Sequence, residues 1–355
     1  MWNGSDLMFS EMTRKERVLA ALNHEPVDRV PTDYWGVPEI TQKLMDHLGA
    51  KDDIEFADKL GIDKVMLIDP PLITDRQNMW DVTNKKVPIA GGFGFYHEPE
   101  FFPIGDCKTI DEIEEVYEWP RPDMYDYSVI DGLCERYRDF ALEGGYTSLT
   151  YYYTLIRGIE QMMIDFIENP ELAKYILMRI QEFCLEHSRR ILEAGNGRIN
   201  YTQMTDDLGS QSGLLMSQAM IDEYLRDYYD QTISLIHSYG SKAFHHDDGA
   251  MTGIMPWLME RNIDILNPLQ WHLPGWNLRE MKEKYGKRIC FHGGIDNQYV
   301  LPFGSVGEVR EEVRACLDAL FSDRTGYILA PCHNIQAITP VENVIAMYEA
   351  ARTFS

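Results

Sequence analysis

Four consecutive residues, His245, His246, Asp247 and Asp248, end the apolar run "KAFHHDDG" (242–249). A turn needs no such cluster. Imidazoles and carboxylates at this density suit cation binding or proton transfer. His246 and Asp248 stand two apart, so in a strand both project from one face. Further donors wait in "YILAPCHN" (327–334), which ends in Cys332, His333 and Asn334. His246 and Asp248 with Cys332 or His333 form an N, O and S donor set able to hold Zn²⁺ with one position open, as catalytic zinc requires. Without a metal, Asp206, Asp207, His246, Asp248 and His333 are candidate general acids and bases.

Residues so far apart must be gathered by a fold. The chain alternates short β-type runs with helical stretches. The runs are "RVPTDYWG" (29–36), "KVMLID" (64–69), "TSLTYYY" (147–153), "INYTQMTDDLG" (199–209), "KAFHHDDG" (242–249), "IDILNPLQ" (263–270), "RICFHGGID" (288–296) and "YILAPCHN" (327–334). Glycine precedes six of them (Gly61, Gly145, Gly197, Gly240, Gly286 and Gly326), the residue that commonly ends a helix. Helical segments between them carry cap signals, among them Ser305 and the Thr339–Pro340–Glu342 group.

Eight strands alternating with helices suit a (β/α)8 TIM-type barrel, read here as a single domain over 1–355. An open doubly wound sheet is the alternative, but no GxGxxG or GxxxxGK[ST] occurs. A helical extension precedes the first run. The stretch 70–122 after the second, with "DVTNKKVPIAGGFGFYHEPEFFP", reads as a β-hairpin insertion over the barrel mouth. Barrel enzymes build their sites at C-terminal strand ends. Nearly every run here starts apolar and ends polar. Tyr34, Trp35, Tyr152, Tyr153, Gln270, His292 and Asn334 are the candidate substrate-binding residues at those ends.

The formal charge of -24 disfavours nucleic acid as a partner. A hydrophobic share of 45% supports a sizeable core. No apolar run of roughly eighteen residues suggests a membrane span. The N-terminal segment lacks signal-peptide order. Six scattered cysteines suit reduced thiols, and the expected location is cytoplasmic.

"TRKERVLAALNHEPVDRVPTDYWG" resembles the N-terminal signature of the uroporphyrinogen decarboxylase superfamily. "FHHDDGAMTGIMPWLMERNIDILNPLQ", "FHGGIDNQYVLPFGSVGEVREEV" and "YILAPCHNIQAITPVENVIAMYEA" resemble its C-terminal segments in order and spacing. The resemblance implies the same barrel and two possible chemistries. True decarboxylases carry an arginine-rich "MRQAGR" segment that grips a polycarboxylate. Here the matching place reads "TDYWGVPE", without those arginines.

The other branch comprises cobamide-dependent methyltransferases, some of which bind zinc through "HxCG" and a later cysteine. Here "HDDG" puts Asp248 in the cysteine's place, and the later position falls at His333 with Cys332 beside it. Such a set is harder and suits an oxygen substrate. The resemblance therefore implies methyl transfer between a small molecule, such as a methoxylated aromatic undergoing O-demethylation, and a corrinoid protein. Zinc would be held by His246, Asp248 and Cys332 or His333. The corrinoid must come from a separate protein, because no "DxHxxG" occurs. A homodimer is the assembly considered. The rivals are a metal-free decarboxylase of a small acid, which needs a rim arginine (Arg29, Arg76 or Arg157), and a non-catalytic corrinoid- or tetrapyrrole-binding protein.

Overall fold

The computed structural model describes residues 11–89 and 94–354. Its sheet contains seven parallel strands: β1 (Val65–Ile68), β4 (Ala141–Thr147), β5 (Tyr201–Thr205), β6 (Lys242–His246), β7 (Ile265–Asn267), β8 (Cys290–Ile295) and β9 (Tyr327–Pro331), adjacent in that order. Two further strands, β2 (Asn84–Ile89) and β3 (Gly94–Pro99), form a separate antiparallel pair. They fall within 70–122; the Gly-Gly turn expected there lies outside the described residues. Long helices such as Pro170–Gly195, Gln218–Ser238 and Val306–Leu320 pack their apolar faces around the sheet. The strands β6 to β9 are almost wholly buried, as a parallel sheet covered on both faces requires. The whole is a TIM-like barrel. No helix among the described residues is long and apolar enough to cross a membrane.

Two expected strands differ. The first run (29–36) forms no regular strand, only parallel bridges from Thr32 to Leu329 and from Gly36 to Ile335. Pro31 has no N–H to donate. On the β1 side the seam uses one backbone bond, Lys64 N to Thr32 O at 2.9 Å, and then the Asp33 carboxylate, which accepts Val65 N–H at 2.8 Å. A side chain thus replaces a backbone acceptor, and the segment serves as an irregular eighth stave.

The third run is displaced. The strand is 141–147, and "TYYYTLIR" is a helix, Thr150–Arg157. Gly145, expected to end a helix, lies inside β4 at φ +83°, where the register with β5 shifts between Glu143 and Tyr146. The Asp206 carboxylate accepts the N–H groups of Leu149 and Thr150 at 2.9 and 2.7 Å. This contact from β5's end starts the helix where local β-propensity favours a strand.

Candidate functional site

Strand alternation divides the opening cluster. His245 and Asp247 face the surrounding helices, while His246 and Asp248 face a cavity of about 1310 Å³ at the sheet's C-terminal end. Trp35, Leu67, Tyr146, Tyr151 and Phe102 supply apolar lining, and His97 to Pro99 of β3 line it from the antiparallel pair. Gly249 permits the turn after Asp248. It sits at φ +101°, and an added Cβ would lie 2.7 Å from the Ser210 carbonyl.

His246 Nε2 lies 4.0 Å from Asp248 Oδ1, and His333 Nε2 lies 4.0 Å from Asp248 Oδ2. One ligand atom from each of the three falls within 4.8 Å of the others. Asp248 Oδ1 is buried without a hydrogen-bond partner. An acceptor left so is a reason to look for a cation. Zinc ligands at about 2.0–2.1 Å would stand roughly 3.3 Å apart in a tetrahedron. Closing the set needs contractions of about 0.7 Å along either 4.0 Å contact and of up to about 1.5 Å for a pair at the 4.8 Å limit. His246 already offers Nε2, because its Nδ1 is engaged by Asn267 Oδ1 at 2.5 Å. His333 Nδ1 instead accepts the Asn334 N–H at 2.7 Å, a bond the ring would release on ligating through Nε2. His246, Asp248 and His333 thus fit a zinc ion with an open position.

The site's electrostatics are set by enclosure. Burial raises the Asp248 carboxyl above its usual range, opposed by the charges of His246 and His333. Burial likewise lowers the His333 imidazole, opposed by Asp248. Each charge therefore depends on the other being present. Asp207 lines the same cavity and accepts the Asp248 N–H at 3.1 Å. Deeper in the cavity, burial first and then the nearby Asp33 push Glu143 up to about 8.

The expected residues separate as follows. Asp207, His246, Asp248, His333, Tyr34, Trp35 and Asn334 all line the cavity. Asp206 does not. Its oxygens are consumed by Leu149, Thr150 and the Tyr229 hydroxyl, so it is a buried staple, and burial raises it to about 6. Tyr152 and Tyr153 are core residues of the displaced helix, with the Tyr153 hydroxyl on Asp165; Tyr151 takes the lining position. Gln270 holds the Gly249 N–H from behind. His292 is fully buried between Asp33 and Asn267. The Cys332 thiol turns to the Leu269 carbonyl at 3.4 Å and is not part of the converging set. Alternation, which holds past the end of β6 as far as Asp248, does not hold past the end of β9 at Pro331.

Lys64, Glu143, Gln203 and Thr205 also line the cavity and were missed. Alternation within "TQMT" of β5 pointed to the last two; a lysine at φ +46° carries no sequence signal. Lys64 is the one lysine or arginine in the cavity's lining among the described residues. The candidate arginines lie elsewhere. Arg29 pairs with Asp63, Arg76 with Glu118, and buried Arg157 with Asp165.

The family model described as uroporphyrinogen decarboxylase (URO-D) matches residues 128–354. Among solved structures, the chain is similar to a methyltransferase from Methanosarcina mazei, at 20% identity and a TM-score of 0.67, covering 96% of this chain and 99% of that one. At that identity the likeness concerns the fold. A B12-independent methionine synthase from Shewanella sp. W3-18-1 aligns over 91% of this chain and 98% of that one, at 12% identity and a TM-score of 0.49. No curated protein matches the chain in sequence.

Proposed function

Because the chain belongs to the uroporphyrinogen decarboxylase family, yet presents its cavity with histidines and carboxylates and no arginine, we propose that it is a methyltransferase. It moves a methyl group between a small molecule, such as a methoxylated aromatic, and a corrinoid carried by a separate protein. The observation that carries this reading is the convergence of His246, Asp248 and His333 in a cavity whose lining, among the described residues, holds no arginine. A polycarboxylate substrate would need several cationic clamps. A decarboxylase reading needs at least one rim arginine, and its three candidates are paired outside the cavity, so that reading loses its support.

Removing methyl from an ether leaves an electron pair on oxygen. The developing negative charge must be met by a proton or a Lewis acid. Zn²⁺ held by His246, Asp248 and His333 would supply that Lewis acidity. The protein's own groups do the rest. Trp35 and Tyr151 border the cavity and offer flat faces to an aromatic ring. Without a bound metal, Asp248 and His333, each made less willing to hold its charge alone, could instead deliver a proton to the departing oxygen. Asp207 fixes the backbone that carries Asp248.

The test mixes the protein with a Co(I) corrinoid protein and a panel of methoxylated aromatics while Co(I) absorbance is followed. Loss of Co(I) that needs both proteins and one methoxy compound supports the proposal. Carbon dioxide release from an acid without any corrinoid would replace it with a lyase. Metal analysis of the purified protein tests the zinc: about one ion per chain in the wild type, and none in His246→Ala.

A further inference from the structure

The hydrogen bonds behind His246 run on into the core. His246 Nδ1 meets Asn267 Oδ1, and Asn267 Nδ2 meets His292 Nδ1 at 2.8 Å. His292 Nε2 meets Asp33 Oδ2 at 3.1 Å. Asn267 and His292 are fully buried, and Asp33 is 1% exposed. None of the three lines the cavity. They come from β7, β8 and the irregular first stave. Three polar residues threaded through the interior of a barrel need a reason, since apolar packing would fill the same space.

The chain of bonds has a direction that chemistry imposes. An ionised carboxylate only accepts hydrogen bonds. Asp33 is well placed to stay ionised. Burial opposes its charge, but His292, Lys64 and the Val65 N–H outweigh that and hold the carboxyl below its usual range. It already accepts the N–H groups of Tyr34, Val65 and the Trp35 indole. His292 must therefore carry its proton on Nε2. In a neutral ring its Nδ1 is then an acceptor, and Asn267 must turn its NH₂ toward it.

A second contact fixes the amide independently. Asn267 Nδ2 also lies 3.3 Å from the His292 carbonyl oxygen, which only accepts. The Asn267 oxygen must then face His246, and His246 must donate to it from Nδ1. A neutral His246 is left with a bare lone pair on Nε2, the atom that faces Asp248. His333 has the opposite setting. Its Nδ1 accepts the Asn334 N–H, which places the proton on Nε2. Asp248 therefore lies between one imidazole that accepts and one that donates.

We propose that Asp33, which touches neither the cavity nor the cluster, is a positioning residue. Acting through His292 and Asn267, it decides which nitrogen of His246 carries the proton and keeps Nε2 free to receive a metal ion or a substrate proton. Histidine ligands are ordinarily oriented by one carboxylate or carbonyl behind the ring. Here the carboxylate stands two residues further back, and the polarity passes through a second imidazole and an amide. The consequence for ligand binding rests on the reading of the site proposed above; the tautomer of His246 does not.

The test reads the tautomers directly. Long-range ¹H–¹⁵N correlation spectra of metal-free protein, at a pH where the rings are neutral, distinguish Nδ1–H from Nε2–H. Signals are assigned by their loss in His246→Gln, His292→Gln and His333→Gln. The wild type is expected to show Nδ1–H for His246 and Nε2–H for His292 and His333. Asp33→Asn puts a donor where the acceptor stood. His246 should then populate the Nε2–H form, and Co²⁺ alone, without corrinoid or substrate, should bind about 10–100-fold more weakly.

Adding Asn267→Asp restores an acceptor beside His246 while leaving one carboxylate on this path. The double variant Asp33→Asn/Asn267→Asp should recover the Nδ1–H form and most of the Co²⁺ affinity. A wild-type His246 found as Nε2–H overturns the proposal, and this reading needs no variant to fold. An unchanged tautomer in Asp33→Asn, or a double variant no better than the single, also overturns it. Tautomers that follow the expected pattern in proteins that bind no Co²⁺ would support the relay and sink the metal reading alone.

Discussion

The two halves of the 245–248 cluster contain the same residue types, one position apart, and do opposite things. His245 and Asp247 lie sealed between sheet and helices. Burial takes His245 down to about 4 and Asp247 well above the usual carboxyl range. Neither His245 nitrogen has a hydrogen-bond partner, and Asp247 Oδ2 has none either; the two residues approach only to 3.5 Å. Asp247 Oδ1 accepts Leu208 and Gly209 N–H groups at 3.0 Å each and so anchors the loop after β5. His246 and Asp248 face the cavity, with a prepared ring on one side and a carboxylate oxygen lacking a partner on the other. Composition alone does not separate structure from chemistry here. The side of the strand does.

Substitutions across the cluster can break this contrast. His246→Ala should reduce turnover about 1,000-fold while moving Tm by no more than a few degrees; a collapse in Tm would make His246 structural. Asp248→Asn should lose about 100-fold in turnover and retain the fold, measured in the same assay.

For the sealed pair the readout is stability. His245 titrates at about 4 in the folded state against 6.5 when free. Between those values the unfolded chain binds more protons, so stability falls as pH drops from 6.5 toward 4 and is preserved above 6.5. The full effect is about 3 kcal/mol. His245→Leu should flatten that part of a denaturation-versus-pH curve, and an unchanged slope would mean that His245 is not sealed. Asp206, raised to about 6, acts oppositely, losing stability as pH rises from 3.8 to 6. It partly masks His245 in the wild type, so the comparison must be between wild type and variant.

The smallest effect sharpens the contrast most. Asp247→Ala orphans two backbone donors and should cost about 2 kcal/mol in chemical denaturation. Asp247→Asn keeps an acceptor for them and should cost less than about 1 kcal/mol. Both should turn over substrate at near wild-type rates.

The cavity-facing pair was legible because period-two alternation is a local property. The choice between Cys332 and His333 was not: alternation carries on past the end of β6 to Asp248 but not past the end of β9, where Cys332 turns to the Leu269 carbonyl and His333 joins the cluster. The Ser305 cap was legible and forms a full capping box. Thr339 was read as a cap by the same signal, but its hydroxyl is unpartnered and the helix starts after Pro340. "TSLTYYY" misled because local propensity points to a strand, whereas Asp206, more than fifty positions away (57 from Leu149), dictates a helix. Of the Asp33–His292–Asn267 path, His292 was singled out as a substrate-binding residue, but the bonds that link the three, assembled from distant elements, were not legible.

The irregular first stave has a consequence for how the molecule is made. Thr32 finds its bridge partner only at Leu329, and Asp33 meets His292 across 259 positions. During synthesis, at about 5–20 residues per second, the stave is made well before β8 and β9 and waits for them. Until they arrive, Trp35 has no wall to complete, Asn267 behind His246 lacks His292, and the cluster lacks His333. A nascent chain stalled before Cys290 would therefore hold His246 and Asp248 but not the environment that prepares them. On the proposed reading of the site, affinity for a metal ion should appear only once β8 and β9 have been made, so that shorter chains do not sequester one.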